Sequence, residues 1–448
     1  MDRTINRLVA SIQQRQLVVF CGAGISLAPP SSVPSAGALT AQCVAEYNMR
    51  ALPALPLPAT RSLEALTEHL FAAGLQSIFV RDLVPWRSFH RDVNVQHEAI
   101  ADLLTAEAAD FGVTTNFDEL VEVSAMNLGA DTFDAAVDAN QASVPRRHSP
   151  FVKLHGCARD PDHTLWCRAQ LLAPPPVSPA NETIRQRLDT LKVWLTANLR
   201  EKTVLFVGFW TDWSYLGSVL AESVESAHIP LVVLVDPQSD ADLEAKAPEL
   251  WKWANSNIEF VHLQIGGEVF LPALRKAFSE NLLSRVLREA AEGFGAAKAG
   301  ALMPSVGFDG LSVTDLYSLR RDVYGVPSNR IPRYSQPDGS MDAVGRAHLL
   351  LRHAGATLDG SRYVTRAGQR IRVVNGRTKL VNKVRSDFSD EVSSVAGVDE
   401  DFVVCAGGSD DGGTHGHIGK GSGVPTVVRP SSTADWLTLD AAVARGLL

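Results

Sequence analysis

Two short stretches carry side chains at spacings suited to chemistry on a sugar ring. They are Thr114-Thr115-Asn116-Phe117-Asp118 and Lys153-Leu154-His155-Gly156. An amide and a carboxylate two residues apart either orient a ribose and a water or cap the next helix. His155 belongs to the one side-chain type that ordinarily titrates near neutrality, so it is either a general base or a structural histidine. A third stretch, Cys21-Gly22-Ala23-Gly24-Ile25-Ser26, follows an apolar run. Glycines there either let the backbone approach a pyrophosphate at a helix start or make a tight turn. The full dinucleotide fingerprint is not met, because Leu27 holds the place of its last glycine. Two more stretches carry an acid, Phe206–Asp212 through Gly208, and Leu234-Val235-Asp236-Pro237. An acid closing a late strand takes ribose hydroxyls; alternatively, Asp236 opens a turn with Pro237.

All five stretches follow, or sit in, apolar runs that read as strands: 17–21, 111–115, 151–154, 204–208, 231–235 and 258–263. Such short runs without polar alternation suit strands buried on both faces. Alternating with helix-like segments, they predict an α/β fold: a Rossmann-like, doubly wound, six-stranded parallel sheet. Ligands on that architecture lie at the carboxyl ends of the strands, where these polar groups fall. Between the first two strands a mostly helical stretch, about 37–108, reads as an insertion over the sheet, with a proline-rich kink at 52–58. Residues 173–179 read as a loop and 272–292 as a closing helix.

The chain of 448 residues is longer than one core usually spans. We divide it into a domain over 1–292, a linker over 293–307 and a smaller α+β domain over 308–448. In the latter, 370–374 and 377–384 around Asn375-Gly376 predict a hairpin, because Asn-Gly supplies the two positive φ values of a type I′ turn. Arg362, Arg366, Arg370, Arg372, Arg377, Lys379, Lys383 and Arg385 fall in or beside it, with no acid from 361 to 385. Such a hairpin presents either a basic face for nucleic acid or an acidic partner, or an ordinary solvated surface. The glycine-rich stretch 406–423 fails the P-loop spacing, and His415 and His417 within it are weak metal candidates.

A net charge of −8 opposes whole-surface attraction to nucleic acid or anionic lipid. Five scattered cysteines without a CxxC pair argue against a disulfide framework or a thiolate zinc knuckle. The polar N-terminus and the lack of an apolar run of about 18 residues leave no membrane anchor and point to the cytoplasm.

The order and spacing of the five stretches, together with Asn94 and His97, resemble the sirtuin family over about residues 10–280. In that family a Gly-Ala-Gly-(Ile/Val)-Ser loop holds the phosphates of NAD. Its Asn and Asp position the nicotinamide ribose, and its His-Gly carries the general base. The resemblance implies NAD as substrate, with Gly22, Ala23, Gly24 and Ser26 at the pyrophosphate and Asn116 orienting water or the ribose. His155 would accept a proton and Asp118 would position nicotinamide or a neighbouring side chain. Thr115 and Gly208 would line the cofactor site, with Asp212 and Asp236 as ribose or structural groups. Classical deacetylases continue with Ile-Pro-Asp-Phe-Arg and carry a cysteine-ligated zinc module. This chain has Val33-Pro34-Ser35-Ala36-Gly37 and no such cysteines. These departures resemble the divergent bacterial sirtuin-like domains of antiphage defence. They imply hydrolysis of NAD to nicotinamide and ADP-ribose without zinc. They also imply a homo-oligomer and a second component, such as a hexameric translocase-type ATPase or a short Argonaute, with nucleic acid reached through the complex. Protein-lysine deacylation and non-catalytic sensing of NAD or ADP-ribose are the alternatives.

Overall fold

The six apolar runs form six strands: β1 (Leu17–Cys21), β2 (Phe111–Thr114), β3 (Phe151–Lys153), β4 (Thr203–Val207), β5 (Leu231–Val235) and β6 (Phe260–Leu263). They make one parallel sheet in the order β3-β2-β1-β4-β5-β6. Every residue of β1 to β5 is buried, as expected of strands covered by helices on both faces. The edge strand β6 is only half-buried and starts later than its apolar pattern suggests, because Ile258 is exposed. The order reverses between β1 and β4, so the chain leaves their carboxyl ends in opposite directions and opens a crevice there.

The computed structural model describes residues 1–50, 52–158, 182–210, 229–308, 310–327, 330–388, 400–410 and 434–448. They divide into two units, Met1–Leu274 and Arg275–Leu448. The insertion between β1 and β2 is helical, with helices Ala36–Met49 and Leu63–Ala72 followed by short turns. It has its own core of Leu39, Cys43, Tyr47, Leu66, Leu70 and Phe89, separate from the sheet core around Phe20, Phe206 and Trp253. Among the described residues no helix is long and apolar enough to cross a membrane.

The second unit has a five-stranded mixed sheet. Its strands are β7 (Thr357–Asp359), β8 (Arg362–Val364), β9 (Arg370–Asn375), β10 (Phe402–Ala406) and β11 (Asp435–Thr438), in the order β11-β10-β9-β8-β7. The hairpin expected around Asn375-Gly376 does not form. Strand β9 pairs in parallel with β10 and antiparallel with β8, and Val381–Asp387 is a helix. Val381, Val384 and Phe388 follow a helical spacing and bury into one cluster, which outweighs the local turn signal.

The basic residues of this region are correspondingly not one free face. Arg372 is buried against Asp322, Arg362 pairs with Glu400, and Lys379 and Lys383 both reach Asp387. The unit boundary lies inside the helix Gly267–Glu289, ahead of the stretch read as a linker. That stretch itself begins helical, because Ala291–Ala297 forms about two further turns. The loop at 173–179, His415, His417 and most of the glycine-rich stretch lie outside the described residues.

Candidate functional site

At the switch point the backbones after β1 and β4 touch. A Cβ on Gly22 would lie 2.6 Å from the Gly208 carbonyl oxygen, and one on Gly24 would lie 2.5 Å from the Gly208 Cα. Gly208 itself has φ +56°, which favours glycine. The amides of Gly22 and Gly24 donate to the carbonyls of Val207 (3.2 Å) and Gly208 (3.0 Å). These two glycines therefore serve the close contact of two loops, and their own N–H groups are committed. The helix that follows, Gly24–Leu27, is one turn long, so little macrodipole stands behind the loop. Cys21, at the end of β1, is buried, and burial pushes its thiol up to about 12. It stays protonated and is no nucleophile at neutral pH.

Ser26 sits at the centre of a buried network that joins β1, β2 and the helix Val95–Thr105. The proton positions follow from one unambiguous donor. The Asn94 backbone N–H donates to His97 Nδ1 at 3.2 Å, within the capping box of that helix. Burial pushes His97 down to about 4 against the pull of Asp118, so the ring is neutral. Its proton is then on Nε2, which donates to Ser26 Oγ at 3.0 Å. Ser26 Oγ donates its own proton to Asp118 Oδ2 at 2.9 Å. Toward Asn116 it therefore accepts, from Nδ2 at 3.2 Å.

The consequence falls on Asn116. With its NH2 fixed on Ser26, its Oδ1 points the other way and is buried with no hydrogen-bond partner among the described residues. Asn116 is only 8 % exposed, and it lines the cavity over the switch point together with Thr115, Asp118 and His155. An orphaned buried acceptor is costly, and a hydroxyl or water in the cavity would satisfy it. His155 is 2 % exposed and faces the Phe117 ring at 6.2 Å.

The cavity measures about 690 Å³, within the range of cofactor sites. Val33, Leu39, Leu63 and Phe89 of the insertion give it an apolar wall, while Gly208, Asp236 and Gln238 line its far end. The structure thus brings Ala23, Gly24, Ser26, Thr115, Asn116, Asp118, His155, Gly208 and Asp236 to one cavity. Gly22 stands beneath it in the loop contact, and Asp212 lies outside the described residues. Asp118 also takes the Leu120 N–H on Oδ1 at 3.2 Å, at the start of the following helix. Ser26 keeps its place beside the loop, but its hydroxyl is consumed by the network.

Sequence reasoning missed the support under this site. Lys153, at the end of β3, is buried. Its ammonium reaches Glu122 Oε1 at 2.7 Å and Cys157 Sγ at 3.1 Å, and it donates to the Asp118 carbonyl. Burial opposes its charge, but Cys157, Glu122 and Asp118 outweigh it and raise its pKa. The ammonium ties the Asn116–Asp118 loop to the strand that carries His155. A lysine within the apolar run Phe151–Leu154 was the available signal, since a buried charge demands partners. Gln96 is a second missed residue: it lines the cavity and its Nε2 is buried without a partner among the described residues. Among the described residues no three His, Cys, Asp or Glu side chains gather as a metal site.

Residues 111–261 match the SIR2-like domain family. Among solved structures, a Sir2 homologue in complex with NAD is similar at 14 % identity over 61 % of this chain and 94 % of that one, with a TM-score of 0.35. A mutant Sir2 homologue in complex with ADP-ribose is similar at 16 % identity over 62 % and 97 %, with a TM-score of 0.35. No curated protein matches.

Proposed function

We propose that this chain, sirtuin-like by its SIR2-like domain, is an NAD glycohydrolase whose reacting ribose lies between Asn116 and His155. The observation that carries the reading is the orphaned Asn116 Oδ1, held by Ser26 so that it accepts from whatever enters the cavity. In an NAD complex that acceptor takes a hydrogen bond from the attacking water or from a ribose hydroxyl. The bond between C1′ and the nicotinamide nitrogen breaks, and its electron pair leaves with nicotinamide, which becomes neutral. The water oxygen bonds to C1′, and His155 takes the released proton. The products are nicotinamide, ADP-ribose and one proton. Asp118 acts through Ser26 as a positioning residue rather than on the sugar. Ala23 and Gly24, on the loop pressed against Gly208, give the pyrophosphate a surface that the backbone alone defines.

The departures from the deacetylase motif at Val33–Gly37 support water over acyl-lysine as the nucleophile. The same resemblance supports a role in antiphage defence by NAD depletion, acting as a homo-oligomer with a second component. Chromatography of purified protein incubated with NAD tests the reaction. Nicotinamide and ADP-ribose are expected from the wild type and from neither Asn116→Ala nor His155→Ala. Full turnover by either variant refutes the role given to that residue. Acyl-ADP-ribose formed from an acyl-lysine peptide would establish deacylation instead.

A further inference from the structure

We propose that Lys153 and Cys157 form an oxidative modification site: hydrogen peroxide oxidises Cys157, and the Lys153 amine captures the oxidised sulfur in a covalent Sγ–Nζ bond. Lys153 closes β3, and Cys157 follows it by four residues, just past His155-Gly156. The chain turns back there, with Gly156 at φ +82°, and Sγ comes to 3.1 Å from Nζ. Lys153 is 0 % exposed and Cys157 6 %. Such burial admits a small neutral oxidant and keeps bulky thiols away, so the group waiting beside an oxidised sulfur is the lysine. The same Nζ holds Glu122 Oε1 at 2.7 Å and donates to the Asp118 carbonyl. Whatever happens to this nitrogen is therefore felt in the loop that carries Asn116.

The thiolate, not the thiol, attacks a peroxide. Burial pushes the thiols of Cys21 and Cys43 up to about 12, so those two stay protonated and inert. Cys157 differs in touching an ammonium, which favours its thiolate. The help is mutual, because after the opposing effect of burial Cys157 leads the groups that hold Lys153 charged. The thiolate attacks one peroxide oxygen, the O–O bond breaks, and the sulfur becomes a sulfenic acid while hydroxide leaves. That hydroxide takes one Nζ proton and becomes water. The Nζ lone pair then attacks the sulfur, the S–O bond breaks, and the departing hydroxide takes a second Nζ proton, again as water. Sulfur has lost two electrons and the peroxide has gained them. The nitrogen keeps one proton and no charge, where the ammonium had three donors. Glu122 thereby loses its counter-ion, and the tie between the Asn116–Asp118 loop and β3 is loosened.

Treating the full chain with hydrogen peroxide, digesting it with trypsin without reductant and weighing the peptides tests this without requiring turnover. In untreated protein trypsin cuts after Lys153 and releases 148–153 and 154–159 separately. A lysine bonded to sulfur is no longer cut. The treated wild type is expected to give the single peptide 148–159, about 2 Da lighter than the same peptide unmodified. Dithiothreitol is expected to cleave the S–N bond and return the two shorter peptides. The urea midpoint of the treated protein is expected to fall, to recover with dithiothreitol, and to stay where it was in treated Cys157→Ser. Cleavage after Lys153 that persists, with 154–159 unchanged or about 16 or 32 Da heavier, overturns capture by the lysine. A linked peptide with no fall in the midpoint overturns the loosening of the loop.

Discussion

Replacing Ser26 by Ala deletes one hydroxyl and leaves three buried groups to readjust. The Asn116 Nδ2 and His97 Nε2 protons lose their acceptor, and Asp118 Oδ2 loses its donor. A buried donor left unsatisfied costs about 1–3 kcal/mol. Two donors therefore set a range of about 2–6 kcal/mol, and a water admitted to the vacated space offsets part of it. We expect Ser26→Ala to lower the unfolding free energy by about 2–4 kcal/mol in urea titration. Turnover should suffer beyond this loss, because the Asn116 amide is released to rotate and present either end to the cavity. At temperatures where the variant stays folded, NAD cleavage should fall at least about tenfold, equivalent to about 1.4 kcal/mol of barrier. Asn116→Asp tests the same logic from the other side, because it keeps an oxygen toward the cavity but replaces the donor aimed at Ser26 with an acceptor. A Ser26→Ala protein with wild-type stability and wild-type turnover would refute the network as the device that orients Asn116.

Lys153→Met removes the charge under both loops and strands Glu122, whose carboxyl burial already pushes upward. Loss of one partner of a buried pair costs about 3–5 kcal/mol, so the variant should unfold at much lower urea, with much of the loss recovered by adding Glu122→Leu. A single variant as stable as the wild type would show that the pair does not hold the loops. Stability of the first unit should also fall in mild acid. His97 binds its proton near pH 4 when folded but near its ordinary 6.5 when unfolded. The unfolded chain therefore binds more protons between those values, and stability, fully present above about 6.5, declines as pH falls toward 4. At about 1.4 kcal/mol per unit this contributes about 3 kcal/mol; a urea midpoint unchanged from pH 7 to pH 4.5 would contradict a buried neutral His97.

The sheet and the gathering of the polar stretches at one cavity were legible because both rest on local signals. Uninterrupted apolar runs mark strands covered on two faces, and polar residues just beyond them mark carboxyl ends. The hairpin around Asn375-Gly376 was misread because its turn signal is local, whereas burial of Val381, Val384 and Phe388 is decided by the whole second unit. The glycines at 22 and 24 were located but their loop contact was not, since no local pattern reports that a second loop, at Gly208, presses against them. Long-range polar partners were the least legible. Ser26, His97 and Asp118 stand in three separate stretches, and only the folded chain shows one hydroxyl serving all of them.

This division has a physical cause with a functional result. Apolar burial is non-directional, so composition and period predict it; a hydrogen-bond network is directional, and one donor sets the sense of every bond after it. Here that donor is the Asn94 backbone N–H. It fixes the His97 tautomer, which fixes the Ser26 proton, which fixes the Asn116 amide. The Asn116 amide that lines the cavity is thus oriented from a helix cap outside the cavity wall. A lone Asn on a loop would turn to suit its ligand. Asn116 is denied that freedom, so its unpaired acceptor is present before any ligand arrives, and the cost of holding it unpaired is borne by the fold rather than by the reaction.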